Sequence, residues 1–125
     1  MSREQVDISH SIDILKSNLS EIARVSEWAG LMGYRCPKKF ARKFLRHFSC
    51  RPQTYLVYVR IKSISHELRS EKKSNFEIAR KYGIPDEIAL NKFINYHLNC
   101  SPTDLKYMPE KKLEEKVEIF GSKVR

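Results

Sequence analysis

The chain has 125 residues, 24 of them Lys or Arg and 15 Asp or Glu, giving a formal net charge of +9 and a pI near 9.6. That length suits one domain or two very small ones and can bury a real hydrophobic core, so the fold does not need disulfide or metal staples. The charge favours an anionic partner, either nucleic acid or an acidic membrane surface. No apolar run approaches the roughly 20 residues needed to span a bilayer, and, given where the charges fall along the chain, no membrane partner is expected.

Helical periodicity dominates, and no Asn-Gly or Asp-Gly hairpin turn occurs. Met1 to Gln5 lead into no apolar segment of the kind a secretory signal carries. Ile8, Ile12, Leu15 and Leu19 step by 4, 3, 4 and mark one face of a first helix. Val25, Trp28, Ala29 and Met32 mark a short second helix stopped by Gly33. Phe40, Phe44 and Phe48 share one face of a third. Pro52 opens a fourth, along which Val57, Ile61, Ile64 and Leu68 again step by 4, 3, 4. Ser70 to Lys73 is polar and reads as a loop. Ser74 with Glu77 forms a capping box for a fifth helix that carries Ile78, Ala79 and Tyr82 and ends at Gly83. Leu90, Phe93, Ile94 and Leu98 give a sixth its buried face, and Ser101-Pro102 begins a short seventh. Beyond Pro109 lies a mixed-charge tail, either frayed or a weak amphipathic helix through Leu113, Val117 and Phe120.

A shift of 50 residues superimposes the structural positions without a gap. Trp28 meets Ile78, Ala29 meets Ala79, Gly33 meets Gly83, Tyr34 meets Ile84, and Phe40 meets Leu90. Phe44 meets Ile94, Phe48 meets Leu98, Cys50 meets Cys100, Pro52 meets Pro102, and Tyr55 meets Leu105. Four of these ten pairs are identities and the rest keep apolar character. In each unit a small residue lets two helices cross closely, and a glycine four positions on supplies a left-handed turn. An apolar plug then precedes a second helix. This is helix-turn-helix grammar, in which the second helix can lie in the DNA major groove. Two repeats are too few for a solenoid. The expected fold is all-α: a seven-helix bipartite domain with two helix-turn-helix units joined by a long linker helix. The divisions fall at 1–50 for the first unit, 51–70 for the linker, 71–108 for the second unit and 109–125 for the charged tail.

In these residues the chain resembles the DNA-binding domain of the AraC/XylS family of transcription regulators. The first unit reads Val25-Ser-Glu-Trp-Ala-Gly-Leu-Met-Gly-Tyr34, then Phe40-Ala-Arg-Lys-Phe44, Pro52-Gln-Thr-Tyr55-Leu56 and Arg60-Ile61. The second reads Ile78-Ala-Arg-Lys-Tyr-Gly83-Ile84-Pro-Asp86, then Leu90-Asn-Lys92-Phe-Ile94 and Ser101-Pro102. The family form there is I-A-x-x-x-G-F-x-D, F-x-R-x-F and S-P, and the resemblance runs from about Ile8 to Lys106. Ile84, Leu90 and Ile94 stand at positions usually aromatic. Ser49 and Asn99 replace the glycine that commonly follows each recognition helix. The turn at Arg35-Cys36-Pro37 looks one residue longer than usual. The resemblance implies a cytoplasmic, bacterial nucleoid-associated transcription regulator. Its two recognition helices would lie on one side of the duplex, about 27 Å of linker helix at about 1.5 Å per residue spanning between grooves about 34 Å apart.

The basic residues are unevenly placed. Arg35, Lys38, Lys39, Arg42, Lys43, Arg46 and Arg51 follow one another with no Asp or Glu between them. With the three Phe turned inward, Lys38, Lys39 and Arg42 are expected at base edges, and Arg35, Lys43 and Arg46 on phosphates; arginine is the best-matched side chain for guanine. From Pro85 to Asn99 there is one Lys, Lys92, against Asp86 and Glu87. Here Asn91 suits adenine and Lys92 guanine or phosphate, with Asn95 on the backbone, and Glu87 either accepts from a cytosine amino group or caps the helix. The expected reader is therefore asymmetric, the first unit dominant. The alternative is a degenerate helix-turn-helix domain serving as a protein-interaction module, for instance on RNA polymerase.

Enzymatic and metal chemistry find no support. Cys36, Cys50 and Cys100 form no Cys-x-x-Cys pair, an odd count that fits a reducing cytoplasm. The spacings of His10, His47, His66 and His97 do not match zinc sites. No phosphate-binding glycine-rich loop, nucleophile elbow or His-Glu-x-x-His occurs. No cofactor, metal or small-molecule site is expected, and the expected partner is double-stranded DNA.

Overall fold

The computed structural model describes the backbone over residues 5–124 and the side chains over residues 5–118. Its helices are α1 (Ser11–Ser17), α2 (Val25–Leu31), α3 (Pro37–Phe48), α4 (Pro52–Ser70), α5 (Asn75–Lys81), α6 (Glu87–Leu98), α7 (Pro102–Tyr107) and α8 (Glu110–Val124), with no strand among the described residues. The repeat governs the boundaries. The pairs α2/α5 and α3/α6 begin and end 50 residues apart, and α4 and α7 begin 50 apart. The chain divides into two compact units, the first running to Val57 and the second over Tyr58–Lys123. The division falls inside α4.

The first unit is built around Trp28, which is fully buried together with Leu15, Ile22, Ala29, Met32, Phe40 and Phe44. Its indole packs edge-on against Phe40 and Phe44, with ring centroids 5.2 and 5.0 Å away, a favoured geometry for aromatic pairs. The indole Nε1–H donates to the carbonyl of Ser11 at 3.0 Å, so the one polar atom of this core residue is satisfied. The second unit replaces this aromatic cluster with aliphatic packing. Ile61, Ile64, Ile78, Ala79, Leu90, Ile94 and Leu105 are fully buried, with Leu68 and Leu98 nearly so.

Both helix-turn-helix turns close in the same way. Tyr34 N–H donates to Ala29 O at 2.9 Å and Gly33 N–H to Gly30 O at 3.0 Å; fifty residues on, Ile84 donates to Ala79 at 2.8 Å and Gly83 to Arg80 at 3.2 Å. This nested pair is a Schellman end, which needs a left-handed residue after the helix. Gly33 (φ 85°) and Gly83 (φ 73°) provide it. The plug residues Tyr34 and Ile84 are both buried.

Two expectations are corrected. Among the described residues the α-helices number eight rather than seven, because the tail from Glu110 is helical through Val124; the side chain of Phe120, on its expected apolar face, lies outside the described residues. The first helix does not run from Ile8 to Leu19. Ile8–His10 is a 3-10 turn, and α1 spans only Ser11–Ser17. Local side-chain bonds compete with the helical ladder here: Asp7 accepts from Ser9 N–H at 3.1 Å, Ser11 Oγ donates to Ile8 O at 2.6 Å, and Asn18 Nδ2 donates to Ile14 O at 2.8 Å. The capping box of Ser74 and Glu77 forms as expected. Ser101 and Asp104 make a second one, opening α7.

Candidate nucleic-acid interface

In the first unit the core holds α3 by Phe40 and Phe44, which leaves Lys38, Lys39, Arg42, Lys43, Leu45 and Arg46 exposed and Ala41 half-buried. Lys39, Arg42, Lys43 and Arg46, with Tyr34 and Gln5, line one recess of about 260 Å³. Two residues expected at base edges and two expected on phosphates thus share a single cationic surface. Lys38 and Arg35 are exposed outside its lining. Tyr34 anchors the arrangement. Its ring packs on Phe40 at 5.5 Å between centroids, and Lys43 Nζ stands over it at 5.8 Å. Among the described residues no ion pair joins these cations to a carboxylate.

The N-terminus of α3 adds to the field. No acidic residue lies in its first turn, and its cap residue is Cys36, so the positive end of the helix dipole is not neutralised. The backbone N–H groups of Lys39 and Lys38, with the charges of Lys39 and Arg42, favour the Cys36 thiolate and hold the thiol below its ordinary range despite partial burial. The second unit inverts this. Asp86 caps α6, accepting from Ala89 N–H at 2.8 Å, and Glu87 occupies the first turn. Two carboxylates therefore meet the dipole that α3 leaves open. Asp86, not Glu87, supplies the cap.

On α6, Asn91, Lys92 and Asn95 are exposed, as expected of outward positions. Asn95 Nδ2 donates to both the Oδ1 and the carbonyl of Asn91. One of the two lone pairs of the Asn91 Oδ1, the acceptor used in two-point reading of adenine, is therefore engaged within the helix. The sequence reading missed two neighbours. Ile88 is 68% exposed and Tyr96 83% exposed. The repeat carries the signal for them: the shift pairs Ile88 with Lys38, Lys92 with Arg42 and Tyr96 with Arg46.

No family model and no curated protein matches the chain. Among solved structures it is similar to the crystal structure of a transcriptional regulator (AraC-type DNA-binding domain-containing proteins) from Chromobacterium violaceum. The TM-score is 0.64 at 17% sequence identity, over 79% of this chain and 88% of that one. The likeness establishes the fold class: an all-α chain sharing the architecture of an AraC-type DNA-binding protein. It agrees on fold with the resemblance read from the residues. None of the described helices is long and apolar enough to cross a membrane.

Proposed function

We propose that the chain is a sequence-specific double-stranded DNA-binding transcription regulator, non-enzymatic, whose first unit supplies most of the affinity. The observation that carries this reading is the exposed face of α3. Lys39, Arg42, Lys43 and Arg46 converge on one recess beside an unneutralised helix N-terminus, with no carboxylate paired to them among the described residues. Cations so placed release counterions from a duplex and bind it strongly at low salt. The fold shared with an AraC-type DNA-binding protein supports the same reading. In it, Lys38, Lys39 and Arg42 address base edges, while Arg35, Lys43 and Arg46 hold phosphates. Lys92, with Asn91 and Asn95, makes a lighter second contact.

A specific observation favours a second reading, a protein-interaction module such as one docking on RNA polymerase: Ile88 and Tyr96 stand exposed where the first unit has cations. Selection of bound sequences from a random duplex library separates the two. A regulator returns two half-sites about one helical turn apart, with affinity falling steeply between about 50 and 200 mM salt. A chain that binds polymerase yet shifts no duplex at low salt is the interaction module.

A further inference from the structure

We propose that Ile88 is a specificity-determining residue that reads the 5-methyl group of thymine in the duplex segment taken by the second unit; this rests on the DNA-binding reading above. The repeat places it. α3 and α6 cover matching twelve-residue spans and bury matching faces, Phe40 with Leu90 and Phe44 with Ile94. Ile88 is the second residue of α6, as Lys38 is of α3, and the first turn of a recognition helix is the part that meets base edges. Ile88 is 68% exposed, so the core does not account for a β-branched apolar side chain there. In a major groove the apolar group an isoleucine can recognise is the thymine methyl, since the other base edges present hydrogen-bonding atoms.

The surroundings favour DNA over a protein groove. Ile88, Lys92 and Tyr96 follow at intervals of four along one side of α6, so a cation separates the two apolar residues, and the Asn91–Asn95 amide pair flanks them. A protein-docking face is a contiguous apolar patch. Here Lys92 interrupts the apolar surface between Ile88 and Tyr96, and it provides attraction to a phosphate or a guanine. Two carboxylates at the start of α6, Asp86 and Glu87, weaken the electrostatic pull of this end. That fits recognition by shape and methyl contact more than by charge.

The test uses the full chain and a duplex that it selects from a random library. Each thymine is replaced in turn by deoxyuridine, which removes only the 5-methyl group, and affinity is measured for wild type and Ile88→Ala, with circular dichroism confirming that the variant folds. The expected result is a loss of roughly fourfold for wild type at one or two positions within the half-site farther from that protected by Arg42. Ile88→Ala loses the same factor on the thymine duplex and nothing more on the uracil one. Indifference of wild type to every replacement overturns the assignment, as does equal sensitivity of Ile88→Ala. Selection of no duplex at all sinks the DNA-binding reading with it. An Ile88→Ala chain that keeps its DNA preference but loses affinity for RNA polymerase assigns the face to protein instead.

Discussion

Arg60, buried inside α4, donates from its guanidinium to the backbone carbonyl of Tyr82 at 2.5 Å and lies over the Tyr82 ring at 6.0 Å. Tyr82 is the cap residue of α5, immediately before the left-handed Gly83. Its carbonyl is one of those that a helix end leaves without a partner in the ladder. A cation from another helix therefore fixes the turn of the second helix-turn-helix unit. Arg60→Met keeps the apolar stem but leaves that carbonyl buried and unsatisfied. It should cost about 1–3 kcal/mol of stability and speed hydrogen exchange at the Gly83 and Ile84 amides. Denaturant titration and amide exchange measure both. An unchanged midpoint with unchanged exchange would show that the bond does not organise the turn.

This contact also marks how far the sequence could be read. The positions of α2 to α7, the two turns and the aromatic core follow from apolar spacing and from glycines at Gly33 and Gly83, because local periodicity reports which face is inward; the extent of α1 does not, because side-chain bonds of Asp7, Ser11 and Asn18 cut it short. Arg60 lies within the apolar stripe of α4, yet its burial depends on a carbonyl 22 residues away, which no local pattern encodes. The exposure of Ile88 was hidden for the converse reason: an apolar residue next to the apolar face of α6 reads as core until packing shows which side it takes. The cationic face of α3 was legible because an uninterrupted run of like charge cannot be buried. That it gathers around Tyr34 needed the turn geometry.

Ser49 and Asn99, fifty residues apart, follow the two long helices of the units with φ of 59° and 54°. Their amides donate to Leu45 O at 2.9 Å and Asn95 O at 3.0 Å. The backbone thus keeps the left-handed ending even though neither residue is glycine. A serine there carries a Cβ penalty that asparagine bears more easily. Ser49→Gly should stabilise the chain by about 0.5–1 kcal/mol and Asn99→Gly by only a few tenths. Gly33→Ala and Gly83→Ala should each lose about 1–2 kcal/mol. Thermal unfolding of the four variants checks the order; a Ser49→Gly chain less stable than wild type would contradict the strain argument.

Cys36 should be the most reactive of the three thiols. It is half-buried at the N-terminus of α3, with the backbone amides of Lys39 and Lys38 and the charges of Lys39 and Arg42 favouring its thiolate, whereas Cys50 and Cys100 are buried and burial pushes the Cys100 thiol up. Thiolate fraction and access both govern alkylation. Iodoacetamide near neutral pH is expected to label Cys36 about tenfold faster than either of the others, as read by peptide mass spectrometry over time. The adduct would stand beside Lys38 and Lys39, so labelled protein should also bind DNA more weakly. Earlier labelling of Cys50 or Cys100 would mean that the native α3 terminus does not have this environment.

The asymmetry between units has a quantitative consequence. Arg42 and Lys92 occupy matching positions, but Arg42 shares its recess with Lys39, Lys43 and Arg46, while Lys92 follows a helix start bearing Asp86 and Glu87. Arginine also offers a bidentate fork that lysine lacks. Arg42→Ala should therefore cost about 1–3 kcal/mol in DNA affinity and relax preference at one base position, and Lys92→Ala should cost less. Lys43→Ala should weaken binding to all sequences alike and lower the slope of log affinity against log salt by about 1. Titration of the three variants at several salt concentrations, on a selected and on a scrambled duplex, resolves these effects. A loss for Lys92→Ala equal to or larger than that for Arg42→Ala would reverse the ranking, because the weaker local field would then be carrying the stronger contact.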